Sequence, residues 1–183
     1  MESKREIAQA VSLIEQGCNV YCCRHGSPYV LPNERDRILE IVGKDVFVIE
    51  GNHFIIGKNN DRSMRDMKHD PCPFLNGEEL CSLQTIDPIL KPADCYMHPI
   101  FPWYKNGREK LGVTRCCEAC DHLSSEFVGK VRALIHSIPI EHRKGLAHHQ
   151  EKYGFPLSVL KFSGRKGQIR WNLIVFLSAT RTC

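Results

Sequence analysis

The sequence predicts a small, irregular α+β fold in which short helices surround antiparallel hairpins. Three observations predict it. Proline and glycine interrupt the chain at short intervals, so no regular element runs long. Two stretches, 46–56 and 72–83, place apolar runs on either side of a tight turn. Several others repeat apolar residues at helical spacing.

Taken in order, residues 3–16 read as a helix, with Ile7, Val11 and Ile14 on one face, Ser3 as its cap and Gly17 as its stop. Asn33 is expected to cap a short helix that runs to Val42 and stops at Gly43. Val46–Glu50 and His53–Ile56 are β-rich and flank a Gly51-Asn52 turn, which predicts a hairpin. Residues 57–70 are polar and read as a loop. Asn76-Gly77-Glu78-Glu79 is a second tight turn, whose arms would bring Cys72 and Cys81 together. Pro92 sits in the first turn of a helix that Pro99 and Pro102 terminate, and 96–115 reads as irregular. Leu123, Phe127, Val131 and Leu134 share the face of a helix over about 122–137. Pro139 opens another, stopped by Gly154. The tail is strand-like at Leu157–Phe162 and Trp171–Leu177. The predicted organisation is a first unit over 1–120 and a helical and strand-like extension over 121–183 packed on it.

The net charge is only +4, with Lys and Arg spread along the chain, which argues against a nucleic-acid partner. No apolar stretch approaches the ~18 residues of a membrane span. The start is charged and lacks the apolar centre of a signal peptide, so a cytoplasmic location is expected. That expectation governs the ten cysteines. In a reducing compartment such a density points to metal or redox chemistry, with a disulfide framework as the alternative.

The cysteines fall into three groups: Cys18, Cys22 and Cys23; Cys72, Cys81 and Cys95; Cys116, Cys117 and Cys120. Zinc and iron–sulfur clusters each take four ligands, and soft thiolate suits both. The spacing is neither the paired Cys-x2-Cys of a zinc finger nor the Cys-x2-Cys-x2-Cys-x3-Cys run of bacterial ferredoxins. It specifies a thiolate site without naming the metal.

Cys18-x3-Cys22-Cys23, Leu31-Pro32-Asn33-Glu34, Cys72-Pro73-Phe74-Leu75-x5-Cys81-Ser82-Leu83, then Lys91-Pro92-Ala93-Asp94-Cys95 followed by Phe101-Pro102, form an ordered set. This order resembles the YkgJ-type cysteine-cluster proteins, a zinc- or iron-chelating domain family that includes flagellin lysine N-methylase. The likeness covers about residues 18–120. Many members begin Cys-x2-Cys-Gly-x-Cys-Cys, where this chain has only Cys18, Cys22 and Cys23, which leaves the number of ligands open. The resemblance implies metal chelation, with Cys18, Cys22, Cys72, Cys81 and Cys95 as ligands and Cys23 close behind. An iron–sulfur cluster, [4Fe–4S] in preference, or zinc would be the cofactor, and the metal site would organise the fold. These candidates exceed one tetrahedral site, so one is a spare or a second site draws on Cys116, Cys117 and Cys120.

Cys117 and Cys120 precede a helix, where a thiolate gains from the helix dipole, yet the βαβ context of a thioredoxin-like motif is missing. His25 and His98 follow cysteines closely and are candidates for ligation or supporting hydrogen bonds. His142, His148 and His149 read as a solvated basic face, and the acids Glu34, Asp36 and Glu40 as a solvated face of one short helix. Arg24 and Arg115 stand beside cysteines and could offset thiolate charge. No phosphate loop, nucleophile elbow or radical Cys-x3-Cys-x2-Cys signature is present. The expected function is metal chelation or electron transfer, with a protein partner and no membrane. The alternative is a cluster-dependent protein-modifying enzyme resembling flagellin lysine N-methylase.

Overall fold

The computed structural model describes residues 21–56, 71–114, 123–153, 157–162 and 169–172. The helix expected over 3–16, the loop 57–70 and the end of the tail lie outside the described residues, as do Cys18, Arg115, Cys116, Cys117 and Cys120. What is described is an α+β fold of short helices and two small antiparallel sheets.

Helix α1 spans Tyr21–His25 and strand β1 is Tyr29–Val30. Helix α2 is Pro32–Val42. It begins two residues earlier than an Asn33 cap would place it, with Leu31 in the cap position. Pro32 already has a helical φ at the first position, and Glu34 reaches back to accept the Leu31 N–H at 3.1 Å. Gly43 ends it as expected, at φ 66° in the left-handed region that disfavours a side chain. Strands β2 (Phe47–Glu50) and β3 (His53–Ile56) form the hairpin foreseen over Gly51-Asn52. β1 adds to its other edge, giving the order β1-β3-β2.

Helix α3 (Ser82–Ile86), a 3₁₀ turn (Pro88–Leu90) and helix α4 (Ala93–Met97) follow. The region expected to be irregular then forms a long hairpin, β4 (Ile100–Lys105) with β5 (Arg108–Thr114). Its turn is Asn106-Gly107, both at positive φ, which suits the twist of a two-residue connection. Pro102 misleads as a terminator. It pairs opposite Leu111 in β4, the edge strand of the second sheet, where a missing N–H is tolerated.

Helix α5 (Ser125–Ser137) starts at Ser124, whose Oγ accepts the Phe127 N–H at 3.0 Å. The predicted face is buried at Phe127, Val131 and Leu134. Helix α6 is Ile140–Tyr153. Strands β6 (Leu157–Phe162) and β7 (Ile169–Asn172) extend the second sheet in the order β4-β5-β6-β7. Thus β5 and β6, on either side of the boundary drawn at 120, pair with one another.

Two apolar clusters form the core. One gathers Tyr29, Tyr96, Met97, Ile100, Phe127, Val131, Ile135 and Leu146. The other gathers Val30, Ile38, Ile56, Phe74, Leu83 and Leu90, with Cys72 and Cys81 packed against it. Among the described residues no helix is long and apolar enough to cross a membrane.

Candidate metal centre

Three chain segments carry the described cysteines, and backbone hydrogen bonds hold the first two together. Cys22 and Cys23 lie on α1, and the Cys23 carbonyl accepts the Cys72 N–H at 2.7 Å. Downstream, Leu75 bridges to Cys81 and Ser82 N–H donates to the Phe74 carbonyl at 2.8 Å. The turn between them is built on Asn76, whose Oδ1 accepts the N–H groups of Glu78 and Leu80 at 3.0 and 2.8 Å. This is the small hairpin that the Asn76-Gly77 signal predicts. The Arg24 guanidinium pairs with the Glu79 carboxylate, tying α1 to that turn. Both groups are well exposed, so the pair contributes roughly 0–1 kcal/mol. Arg24 therefore serves the scaffold here.

Cys95 arrives on α4, which is anchored by two buried carboxylates. Glu34 Oε1 accepts the Ala93 N–H at 2.9 Å, and Asp94 Oδ2 accepts the Tyr29 N–H at 2.9 Å. Glu34 is thus a brace across elements rather than part of a solvated face, while Asp36 and Glu40 are exposed. Burial pushes the Asp94 carboxyl up to about 6, against the stabilising Tyr29 hydrogen bond.

The five described cysteines are half-buried and none is joined in a disulfide. A side-chain hydrogen bond with Cys22 brings the Cys23 thiol down to about 7, against burial and with help from Lys91. Burial pushes Cys72 up to about 12, and the neighbouring Cys23 and Cys81 add to the rise. Cys95 is driven well above the ordinary thiol range by burial, then by Asp94, Cys23 and Cys81. Cys23 and Cys81 therefore act electrostatically on both Cys72 and Cys95. A cation among these thiols would relieve the mutual repulsion of their thiolate forms. The donor set fits a thiophilic metal.

No family model matches the chain. No curated protein matches it, and no solved structure does.

Of the six predicted ligands, Cys22, Cys23, Cys72, Cys81 and Cys95 are described, and Cys18 is not. His98 is half-buried beyond α4, and burial with Lys91 pushes its imidazole down to about 4, so it is neutral. Lys91 entered the sequence reading only as the first residue of a motif, with no role of its own. Its ammonium lies over the Tyr96 ring, donates to Gln84 Oε1 at 2.7 Å, and lowers both Cys23 and Cys95. Its place in Lys91-Pro92-Ala93-Asp94-Cys95, four residues from a candidate ligand, was the available signal.

The histidines of α6 do not form a solvated face. His149 is 3% exposed and His142 is half-buried; only His148 faces solvent. His142 Nδ1 sits 2.9 Å from the Tyr29 phenol, and His149 Nε2–H donates to the Ser27 carbonyl at 2.7 Å. Tyr29 stacks on His53 with ring centroids 3.9 Å apart and planes at 9°. Nothing local in the chain marks this aromatic cluster, because its members come from three distant segments.

Proposed function

We propose that the protein is a metal chelator of the YkgJ type that holds an iron–sulfur cluster, or zinc, through thiolates drawn from Cys18, Cys22, Cys23, Cys72, Cys81 and Cys95, of which Cys18 lies outside the described residues. The observation that carries this reading is the convergence of thiols from three segments around the Cys72–Cys23 backbone link. Metal ligation also accounts for keeping several thiols together in a half-buried place without a disulfide.

Soft thiolates suit zinc and an iron–sulfur cluster alike; of the two, the resemblance prefers a [4Fe–4S] cluster. When bound, it would supply one-electron chemistry. This chain's residues would supply the thiolates, the nearby Lys91 charge and partial exclusion of water.

The test is anaerobic purification followed by visible absorption and by iron, sulfide and zinc analysis. A brown protein with matching iron and sulfide supports the cluster. Stoichiometric zinc in a colourless protein supports a structural zinc site. Absence of both metals from freshly prepared protein, with no uptake on reconstitution, refutes the proposal.

One observation favours a second reading, that of a cluster-dependent modifying enzyme. An open cleft of about 620 Å³ lies among Leu31, Glu34, Arg37, Leu134, Ile138 and His142. That volume falls within the range of small-molecule sites. A methylase would need S-adenosylmethionine, and saturable binding of it by the metal-loaded protein is the discriminating measurement. No binding would sink this second reading and leave the first intact.

A further inference from the structure

A second group of ligating side chains lies apart from the thiols and contains no cysteine. Glu50 and His53 are the last register pair of the β2–β3 hairpin, on either side of Gly51-Asn52. Directly opposed residues in an antiparallel pair point to the same face, with Cβ atoms about 4.5–5.5 Å apart. The two-residue turn thus brings a carboxylate and an imidazole together by construction. His149 comes from α6, a hundred residues later in round terms. One ligand atom from each of Glu50, His53 and His149 lies within 4.8 Å of the others.

The surroundings orient these donors. The His53 ring is held flat against Tyr29, and His149 meets it edge-on at 5.6 Å and 88°. His149 donates its Nε2–H to the Ser27 carbonyl, which places the lone pair of the neutral ring on Nδ1. Histidines that ligate metals are commonly fixed in this way, by giving their other N–H to a backbone carbonyl. His53 and His149 are buried, at 8% and 3% exposure, while Glu50 is only half-buried and keeps one side of the group accessible.

We propose that Glu50, His53 and His149 form a binding site for a divalent transition-metal ion of the zinc or iron(II) class. Two imidazoles and one carboxylate are a donor set that such borderline ions take, and calcium or magnesium would want oxygen ligands instead. Three protein donors leave positions for water or for a small anionic ligand. The site stands independently of the thiolate reading, since it shares no residue with it.

The probe is Co²⁺, titrated into the purified full-length protein as isolated and followed by visible and near-ultraviolet absorption. Cobalt at nitrogen and oxygen donors gives ligand-field bands, whereas cobalt on cysteine adds an intense thiolate-to-metal band. The expected result is one saturable equivalent that shows the first without the second. Glu50→Gln should weaken that equivalent by at least the roughly 10–100-fold seen when a supporting partner alone is removed. His53→Asn should abolish it. His53 is buried and its replacement also tests folding, so Glu50→Gln at the half-exposed hairpin end is the decisive variant. Binding that is unchanged in Glu50→Gln overturns the proposal. So does cobalt that appears only with the thiolate band, or an absence of saturable binding.

Discussion

Gly145→Ala and Gly129→Ala make the same chemical change in two helices and should move stability in opposite directions. Alanine in place of a helix-interior glycine gains up to about 1 kcal/mol from backbone entropy alone. At Gly129 on α5 a new Cβ meets nothing within 4 Å, so the gain should be realised. At Gly145 on α6 the same atom would lie 2.6 Å from the Tyr29 hydroxyl oxygen and 3.2 Å from Cε2 and Cζ. Tyr29 cannot retreat cheaply. It is 1% exposed, stacked on His53, hydrogen-bonded to His142, and fixed at its backbone N–H by Asp94. Overpacking a full core costs about 1–3 kcal/mol. Displacing the phenol from His142 adds about 0.5–1.5 kcal/mol. After the helical gain is subtracted, the net loss is about 0.5–3.5 kcal/mol. For a chain of this size each kcal/mol moves Tm by about 2–4 °C. Gly145→Ala should then melt roughly 1–14 °C lower, and Gly129→Ala up to about 4 °C higher. The assay is thermal unfolding by circular dichroism, with urea titration as a check. Tyr29→Phe removes the closest atom, so the pair Tyr29→Phe with Gly145→Ala should be less destabilised than the sum of the two. If Gly145→Ala stabilises as Gly129→Ala does, the packing of Tyr29 against α6 is wrong.

Cys72→Ser or Cys81→Ser should lower metal content and melting temperature together, because ligation and folding are coupled; full metal content at wild-type Tm would remove these residues from the ligand set. Ser124→Ala deletes the side-chain cap of α5 and should cost about 0.5–2 kcal/mol in urea unfolding, with Ser124→Asp largely neutral. Tyr104 is held up to about 12, first by burial and then by its hydrogen bond to Glu109 at 2.6 Å. The folded chain keeps this proton after the unfolded chain has begun to lose it near pH 10, so its stabilising contribution is present below pH 10 and disappears toward pH 12. Ultraviolet titration of phenolate should show one tyrosine fewer in the late-titrating group for Tyr104→Phe, and an earlier Tyr104 in Glu109→Gln.

Local chemistry was the legible part of this sequence. The Gly51-Asn52 and Asn76-Gly77 turns, the stop at Gly43, and the apolar face of Phe127, Val131 and Leu134 each rest on residues adjacent in the chain or one helical turn apart. The β4–β5 hairpin was not legible, because Pro99 and Pro102 break the strand pattern and only the sheet shows that β4 lies at an edge. The grouping of cysteines into candidate ligands was readable from their density and spacing. That Cys23 stands beside Cys72 was not, since a backbone hydrogen bond between distant segments leaves no local mark. Glu34 and Asp94 look like ordinary surface acids until the N–H groups of Ala93 and Tyr29 appear in front of them. The burial of His53 and His149 depends likewise on Tyr29, which neither histidine can reveal by its neighbours in sequence.

The arrival of the thiols on three separated segments also bears on the unfolded chain. A metal centre that stayed on Cys23 and Cys72 as the chain unfolded would close a loop of about 50 residues, and that closure alone would lower the entropy of the denatured ensemble by an amount worth roughly 4 kcal/mol at room temperature. Joining Cys95 would close a further loop. Stabilisation of this kind needs no new contact in the folded state. It works by restricting where the disordered chain can wander, and it grows only with the logarithm of the length of chain enclosed.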